Sequence, residues 1–232
     1  MFEIFRPRVF FNLANSSLFW LKLLFIISLI ISLSFALIFS PIDYLQKDMV
    51  RIMYVHVPSS WISLFIFLII GVFSFISLIF RIKIFSVYAK TLAPIGFVFS
   101  LISLVSGSLW GYPTWGTWWS WDARLTSMLV LVLTYFIYIC TWNLIKNFNT
   151  AEKITNIIAI IGLINLPIIK FSVNWWNTLH QPSSITLSSA PTIHVSILAP
   201  LLMMFFTLCI FSLIIFLIRY KYEIINSRIN KK

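Results

Sequence analysis

Two histidines in this sequence stand beside aromatic residues in a way that suggests metal ligation. His56 lies in RIMYVHVPSSW and His180 lies in SVNWWNTLHQPSS, each followed two residues later by a proline. An imidazole nitrogen is a good ligand for transition metals. A lone histidine at a helix edge is most often only a polar residue, so the interpretation depends on the fold bringing the two together.

The richest aromatic stretch is WGTWWSWDARLT, residues 115 to 126, whose first seven positions hold Trp115, Trp118, Trp119 and Trp121. On a helix, Trp115, Trp118 and Trp119 would fall at i, i+3 and i+4, so their rings would share one face. Such a face is a platform on which a flat apolar molecule could stack. The alternative is an interfacial belt, in which the rings only lie among lipid headgroups.

An acid and a base follow these tryptophans. Asp122 comes immediately before an apolar run, where its carboxylate would cap a helix by accepting from free backbone N–H groups. Arg124 would then pair with Asp122 or extend along the apolar surface toward the interface. Neither role excludes contact with a ligand.

Two imidazoles and a row of large rings together favour haem, because imidazole nitrogens are axial ligands of haem iron and aromatic rings hold the macrocycle. The sequence lacks the motifs that would indicate nucleotide binding, zinc-dependent hydrolysis or a serine nucleophile. The sequence contains no phosphate-binding GxxxxGK stretch, no zinc-binding HExxH and no GxSxG nucleophile elbow. A binding and transfer protein is therefore favoured over an enzyme.

The elements that must position these residues are membrane helices. Hydrophobic residues make up 60% of the 232 and charged residues only 10%, so the chain cannot hide its apolar surface in a water-soluble globule. We expect an all-α integral membrane protein, a single domain over residues 1–232, with six spans that cross a hydrocarbon core of roughly 30 Å. The predicted spans are 20–40, 61–80, 92–110, 125–144, 154–169 and 197–218. They leave three loops on one face, at about 41–60, 111–124 and 170–196.

The basic residues predict the orientation, because positively charged short loops stay in the cytoplasm. With both termini inside, 13 of the 17 basic residues are cytoplasmic, including Arg6, Lys231 and Lys232 at the chain ends. The net charge of +11 is spread over four segments rather than one stripe, which argues against nucleic-acid binding. All three histidines and eight of the ten tryptophans then lie in or beside the outside loops. A balanced interfacial belt does not explain that asymmetry.

These motifs resemble those of a known family. WGTWWSWDARLT is similar to the "WWD" signature of haem-handling proteins, and RIMYVHVPSSW and SVNWWNTLHQPSS complete the pattern of cytochrome c maturation protein C, also called haem exporter protein C. The resemblance covers residues 20 to 218 and implies a six-span protein that binds haem b. It implies that His56 and His180 are the axial ligands and that Trp115, Trp118, Trp119, Trp121 and Asp122 hold the macrocycle.

The resemblance also implies partners. The family presents haem to a periplasmic haem chaperone and works with an ABC transporter, made of an ATPase and a membrane subunit, and with a small single-span protein. ATP is hydrolysed by the partner ATPase. Asp43, Gln46 and Arg51 in the first outside loop resemble polar residues that contact the chaperone, although from the residues alone they form only a solvated loop.

Several alternatives stay open. A membrane electron-transfer subunit with resident b-type haem would normally place its histidines within the spans. A transporter subunit would bind no haem, and the haem lyase of the other cytochrome c assembly system is normally larger. His194, in the stretch PSSITLSSAPTIHVS, has no role in the family pattern. The membrane is expected to be a bacterial inner membrane or, as the alternative, a mitochondrial one.

Overall fold

The helices follow the apolar runs of the sequence. The computed structural model describes residues 7–182, 184–185 and 190–229, so Arg6, Lys231 and Lys232 lie outside the described residues. The described helices are α1 (Pro7–Ser34), α2 (Met53–Phe80), α3 (Lys83–Trp115), α4 (Ala123–Leu144), α5 (Phe148–Gly162), α6 (Asn165–Trp175) and α7 (Val195–Ile229). A π-helical turn, Phe35–Phe39, ends α1, and a 3-10 turn, Asp48–Ile52, leads into α2.

The expected all-α membrane fold is confirmed. Among the described residues, six helical segments are long and apolar enough to cross a bilayer: 14–39, 48–80, 83–115, 123–144, 148–175 and 195–226. They correspond in order to the six predicted spans. Several of these helical segments are longer than the predicted spans. The additional turns carry polar and aromatic residues that were predicted to lie in loops.

Two helices reach well beyond the hydrocarbon core. The second and third segments each have 33 residues, or about 50 Å of helix against a core of roughly 30 Å. Arg81 and Lys83 lie where α2 gives way to α3, and such charges hold that end at the membrane surface. The surplus turns therefore project at the opposite end, and they carry His56 and Trp115. We call this the histidine-bearing end.

The second helix begins ahead of Pro58 and ahead of residue 61, where the second span was predicted to start. The helix begins at Met53 and continues the preceding 3-10 turn. Val50, Met53 and Tyr54 are buried in a cluster with Leu201 of α7, and this packing keeps the chain helical ahead of the proline. His56 consequently lies in the first turn of α2 rather than in a loop.

Small residues allow the central helices to approach closely. Ser63 and Ser74 on α2, and Ser100 and Ser103 on α3, are buried, as is common where membrane helices pack. A Cβ built on Gly96 of α3 would fall within 2.1 Å of the Tyr135 hydroxyl. The tyrosine fills that space and donates to the Ser63 carbonyl at 2.7 Å. The contact fixes α4 against both α2 and α3.

The fifth span is two helices rather than one. α5 ends at Gly162 and α6 begins at Asn165. Pro167 explains the break, because its ring lacks an N–H and clashes with the carbonyl four residues earlier. The Asn165 amide donates to the Ser127 carbonyl at 2.8 Å, which anchors the break to α4. α6 then leads into the loop that carries His180.

Candidate functional site

A cleft opens at the histidine-bearing end, between α2, α3, the start of α4 and the loop after α6. The empty space between its walls, counted out to the open mouth, is about 740 Å³. The aromatic, imidazole and charged side chains that line it are His56, Trp110, Trp115, Trp119, Arg124 and His180. Residues distant in sequence therefore converge on one space.

The two histidines face each other across this cleft. Their ring centroids are 6.5 Å apart and their planes are inclined by 36°. Two imidazoles on opposite sides of one metal ion would have centroids about 6.2 Å apart, from two metal–nitrogen bonds of about 2 Å and two ring radii of about 1.1 Å. The observed separation is within a few tenths of an ångström of that value.

The His56 ring is held in the state that a metal ligand needs. Its Nδ1 lies 2.9 Å from the Ser103 carbonyl oxygen and 3.2 Å from the Ser106 hydroxyl. A carbonyl only accepts, so Nδ1 carries the proton and Nε2 keeps a free lone pair. Gly107 makes room for the ring, because a Cβ there would lie 2.9 Å from His56 Cε1.

The His180 ring, in the loop after α6, also has its Nδ1 atom held by a backbone carbonyl. Its Nδ1 donates to the Gln181 carbonyl at 2.7 Å, which again leaves Nε2 free. Burial lowers the pKa of His180, and the nearby positive charge of Arg124 lowers it further. The imidazole is therefore neutral at neutral pH, as metal ligation requires.

Three tryptophans surround the histidines. The Trp110 ring meets His56 edge to face at 5.8 Å between centroids and 74° between planes. The Trp115 ring lies 6.4 Å from His180. Trp119 forms a further part of the lining. Each histidine thus has an indole beside it, and Trp110 was not among the predicted site residues.

The expectation that the tryptophans share one helical face was wrong. α3 ends at Trp115 because Gly116 adopts the left-handed conformation, with φ of 74°, which favours glycine. Residues 116–122 are not helical. Trp118 stacks outside the cleft on Tyr112, at 4.3 Å and 12°. Trp121 packs edge to face on Trp119 and is 78% exposed.

Asp122 joins two of the backbone segments that form the cleft. The predicted N-cap is confirmed, since Oδ1 accepts from the Leu125 N–H at 2.8 Å. Oδ2 also accepts from the Leu179 N–H at 3.2 Å, one residue before His180. The carboxylate therefore joins the start of α4 to the histidine loop, and it does not itself line the cleft.

Arg124 supplies the one fixed charge among the described residues that line the cleft. Its Nη1 donates to the Ile169 carbonyl of α6 at 2.9 Å. The sequence suggested a pair with Asp122 or a position along the lipid surface. In the structure the guanidinium instead joins α4 to α6 and faces the cleft.

The three polar residues of the first loop have different surroundings. Asp43 Oδ1 accepts from the backbone N–H groups of Leu45 and Gln46 at 2.9 and 2.7 Å, so it forms a tight turn. Arg51 pairs with Asp48 at 3.0 Å on the surface. Gln46 lines the cleft, and its side-chain oxygen accepts from Trp110 Nε1 at 2.7 Å.

His194 lies apart from this cleft. Its Nδ1 is 2.8 Å from the Ser196 hydroxyl at the start of α7, and the side chain is exposed. The structure thus brings together two of the three histidines.

Comparison with known proteins identifies the family. The profile described as "Heme exporter protein C" matches residues 1–232. The chain belongs to the haem exporter protein C family. The Heme exporter protein C of Bradyrhizobium diazoefficiens is 38% identical over 229 residues, which cover 99% of this chain and 87% of that protein. The Heme exporter protein C of Escherichia coli K12 is 44% identical over 165 residues, which cover 71% of this chain and 67% of that protein.

Haem exporter protein C relatives also occur outside bacteria. A protein of Marchantia polymorpha named "Putative cytochrome c biosynthesis ccmC-like mitochondrial protein" is 42% identical over 193 residues, covering 83% of this chain and 82% of that protein. With its six apolar helices, this member of the haem exporter protein C family is a multi-pass inner-membrane protein.

Sequence reasoning missed several residues that this haem exporter protein C member uses to build its cleft. Gly107 and Gly111 are four apart on α3, as Ser103 and Gly107 are, so all three fall on one helical face. A Cβ on Gly111 would lie 2.8 Å from the Trp115 ring. The spacing of these small residues was the signal that could have indicated a face left open for large rings.

Proposed function

We propose that this protein binds haem in the cleft, with His56 and His180 as axial ligands, and passes it to a periplasmic haem chaperone for cytochrome c maturation. One observation carries the proposal. Two imidazoles lie 6.5 Å apart with both Nδ1 atoms engaged by backbone carbonyls, so both Nε2 atoms are free to bind one iron. A structural pair of histidines has no need of matched free nitrogens.

The lining of the cleft fits the rest of a haem molecule. The Trp115 and Trp119 rings offer apolar faces to a porphyrin, at roughly 25 cal/mol per Å² of apolar area buried. The Arg124 guanidinium is a partner for a propionate carboxylate. Both cysteines, Cys140 and Cys209, lie in apolar spans, and the sequence has no CxxCH attachment motif. We propose haem b as the cargo, held without thioether bonds to this protein.

A site of this kind would hold haem tightly, and this affinity determines what the transfer step requires. Two axial bonds and ring stacking retain haem and also slow its release, so an energy source is needed. The sequence has no nucleotide-binding motif, which supports a transport subunit that depends on a separate ATPase. We propose that the ABC transporter ATPase, its membrane subunit and a small single-span protein supply that step. The excess of basic residues at the opposite end supports a periplasmic cleft.

Haem transfer is the test. The purified protein, loaded with haemin and reduced, is mixed, together with the partner transporter and ATP, either with a purified periplasmic haem chaperone or with an apocytochrome c peptide that contains a CxxCH motif. We expect haem to appear on the chaperone and not on the peptide, and the His56→Ala, His180→Ala double variant to transfer none. Attachment to the peptide alone would identify a haem lyase component instead. Retention of haem in the presence of both acceptors and the partner transporter would favour a resident electron-transfer haem.

A further inference from the structure

Gln46 occupies an unexpected position for a surface residue of the first loop. Its side chain points to the cleft rather than away from the protein, and its oxygen accepts from the Trp110 indole N–H at 2.7 Å. The Trp110 ring in turn lies edge to face on His56, at 5.8 Å and 74°. An unbroken chain of contacts therefore runs from the first loop to one of the two imidazoles.

The Gln46 end of this chain is itself fixed. The Asp43 carboxylate accepts from the Gln46 N–H at 2.7 Å, and the Gln46 carbonyl accepts from the Met49 N–H at 3.0 Å. The backbone of Gln46 thus leads into the 3-10 turn that begins α2, the helix that carries His56. The neighbouring Tyr44 is 94% exposed, so the same turn offers a matched position that does not contact the cleft.

We infer that Gln46 is a positioning residue for haem ligation, acting through Trp110 on the orientation of His56. This inference rests on the proposed function. The hydrogen bond fixes the rotation of the indole, and the indole edge limits the rotation of the imidazole about its own bonds. With the bond removed, the indole N–H loses its partner and the ring becomes free to turn. His56 then loses one wall of its site, while its hydrogen bond to Ser103 remains.

The experiment measures the haem that the purified protein retains in mild detergent after loading with haemin. The variants are Gln46→Leu, which removes the acceptor, Gln46→Glu, which keeps it, and Trp110→Phe, which removes the donor. The rate of haem loss to excess apomyoglobin and the low-temperature electron paramagnetic resonance spectrum report on the axial ligands. Tyr44→Ala is the control for a change in the same turn.

We expect Gln46→Leu and Trp110→Phe each to lose haem about two- to tenfold faster, the effect of one hydrogen bond. Both variants should also shift the resonance spectrum, whereas Gln46→Glu and Tyr44→Ala should stay near wild type. The double variant Gln46→Leu, Trp110→Phe should lose haem no faster than Trp110→Phe alone, because both changes remove the same hydrogen bond. Unchanged haem loss and spectrum in Gln46→Leu, or multiplying effects in the double variant, would overturn the inference. A wild-type protein that binds no haem would instead overturn the proposed function.

Discussion

Substituting Gly107 by alanine should displace His56, one of the two proposed axial ligands, without unfolding the protein. The new Cβ would lie 2.9 Å from His56 Cε1, and ordinary contact begins at 3.4 Å, so the ring must move by 3.4 − 2.9 = 0.5 Å or more. A shift of that size directed away from α3 would lengthen the 2.9 Å bond between Nδ1 and the Ser103 carbonyl to the limit of hydrogen bonding. Partners of this kind typically change metal affinity 10- to 100-fold. We expect haem affinity to fall by about that factor.

The stability of the fold should change little in the same variant. Alanine gains about 1 kcal/mol over glycine in a helix, and the weakened hydrogen bond costs about 0.5–1.5 kcal/mol, so the two effects nearly cancel. Haem affinity is measured by titration with haemin followed by absorption, and stability by thermal unfolding of the haem-free protein. Affinity should fall while the melting temperature stays within a few degrees.

A matched glycine provides the control. On α2, a Cβ at Gly71 would come within 2.4 Å of the Leu163 side chain, which lies away from the cleft. Gly71→Ala should therefore lower the melting temperature and leave haem affinity unchanged. If Gly107→Ala binds haem within twofold of wild type, or if both glycine variants lose haem to the same extent, Gly107 does not set the position of His56.

Three further predictions concern the frame of the cleft. Asp122→Ala should lower stability by about 1 kcal/mol through the lost cap and speed haem loss by loosening the His180 loop. Asp122→Asn keeps one acceptor oxygen, so it should restore the cap but not the bond to the Leu179 N–H, and haem loss should stay fast; thermal unfolding and haem-loss rates check this. Trp119→Ala should weaken haem binding in a haemin titration, and Trp118→Ala, outside the cleft, should leave it unchanged; equal effects would contradict the assignment. In the folded protein the pKa of His180 is lowered from its ordinary value of 6.5. Below pH 6.5 the unfolded chain therefore binds a proton at His180 more readily than the folded protein does, and the stability of the haem-free protein should fall as the pH drops. His180→Asn should reduce that slope in unfolding measured between pH 5 and 7, and an unchanged slope would contradict a neutral, partly buried imidazole.

The sequence was sufficient for the class of fold and for the identity of the facing histidines. Long apolar runs can only be membrane helices, so six spans could be predicted from composition. The cap at Asp122 was also predictable, because it depends on residues within one turn. The motifs around His56 and His180 indicated a pair, although their separation could not be known before the helices were packed.

Other features depend on contacts between distant residues and could not be predicted. Helical spacing placed Trp118 with Trp115, but the left-handed turn at Gly116 directs them to different surroundings. The apolar run from residue 61 suggested a later start for α2 than the one that packing against α7 produces. Gln46 resembled a solvent-facing contact residue because nothing local to it indicates Trp110, which is 64 positions away in the sequence.

His56 and His180 are proposed to bind one haem iron together, and the absorption spectrum of the haemin-loaded protein reports this coordination. We predict a six-coordinate, low-spin b-type spectrum in the wild type and a changed coordination state in His56→Ala and in His180→Ala. The double variant should show no six-coordinate species. A wild-type protein without the six-coordinate spectrum, or a double variant that keeps it unchanged, would contradict the account.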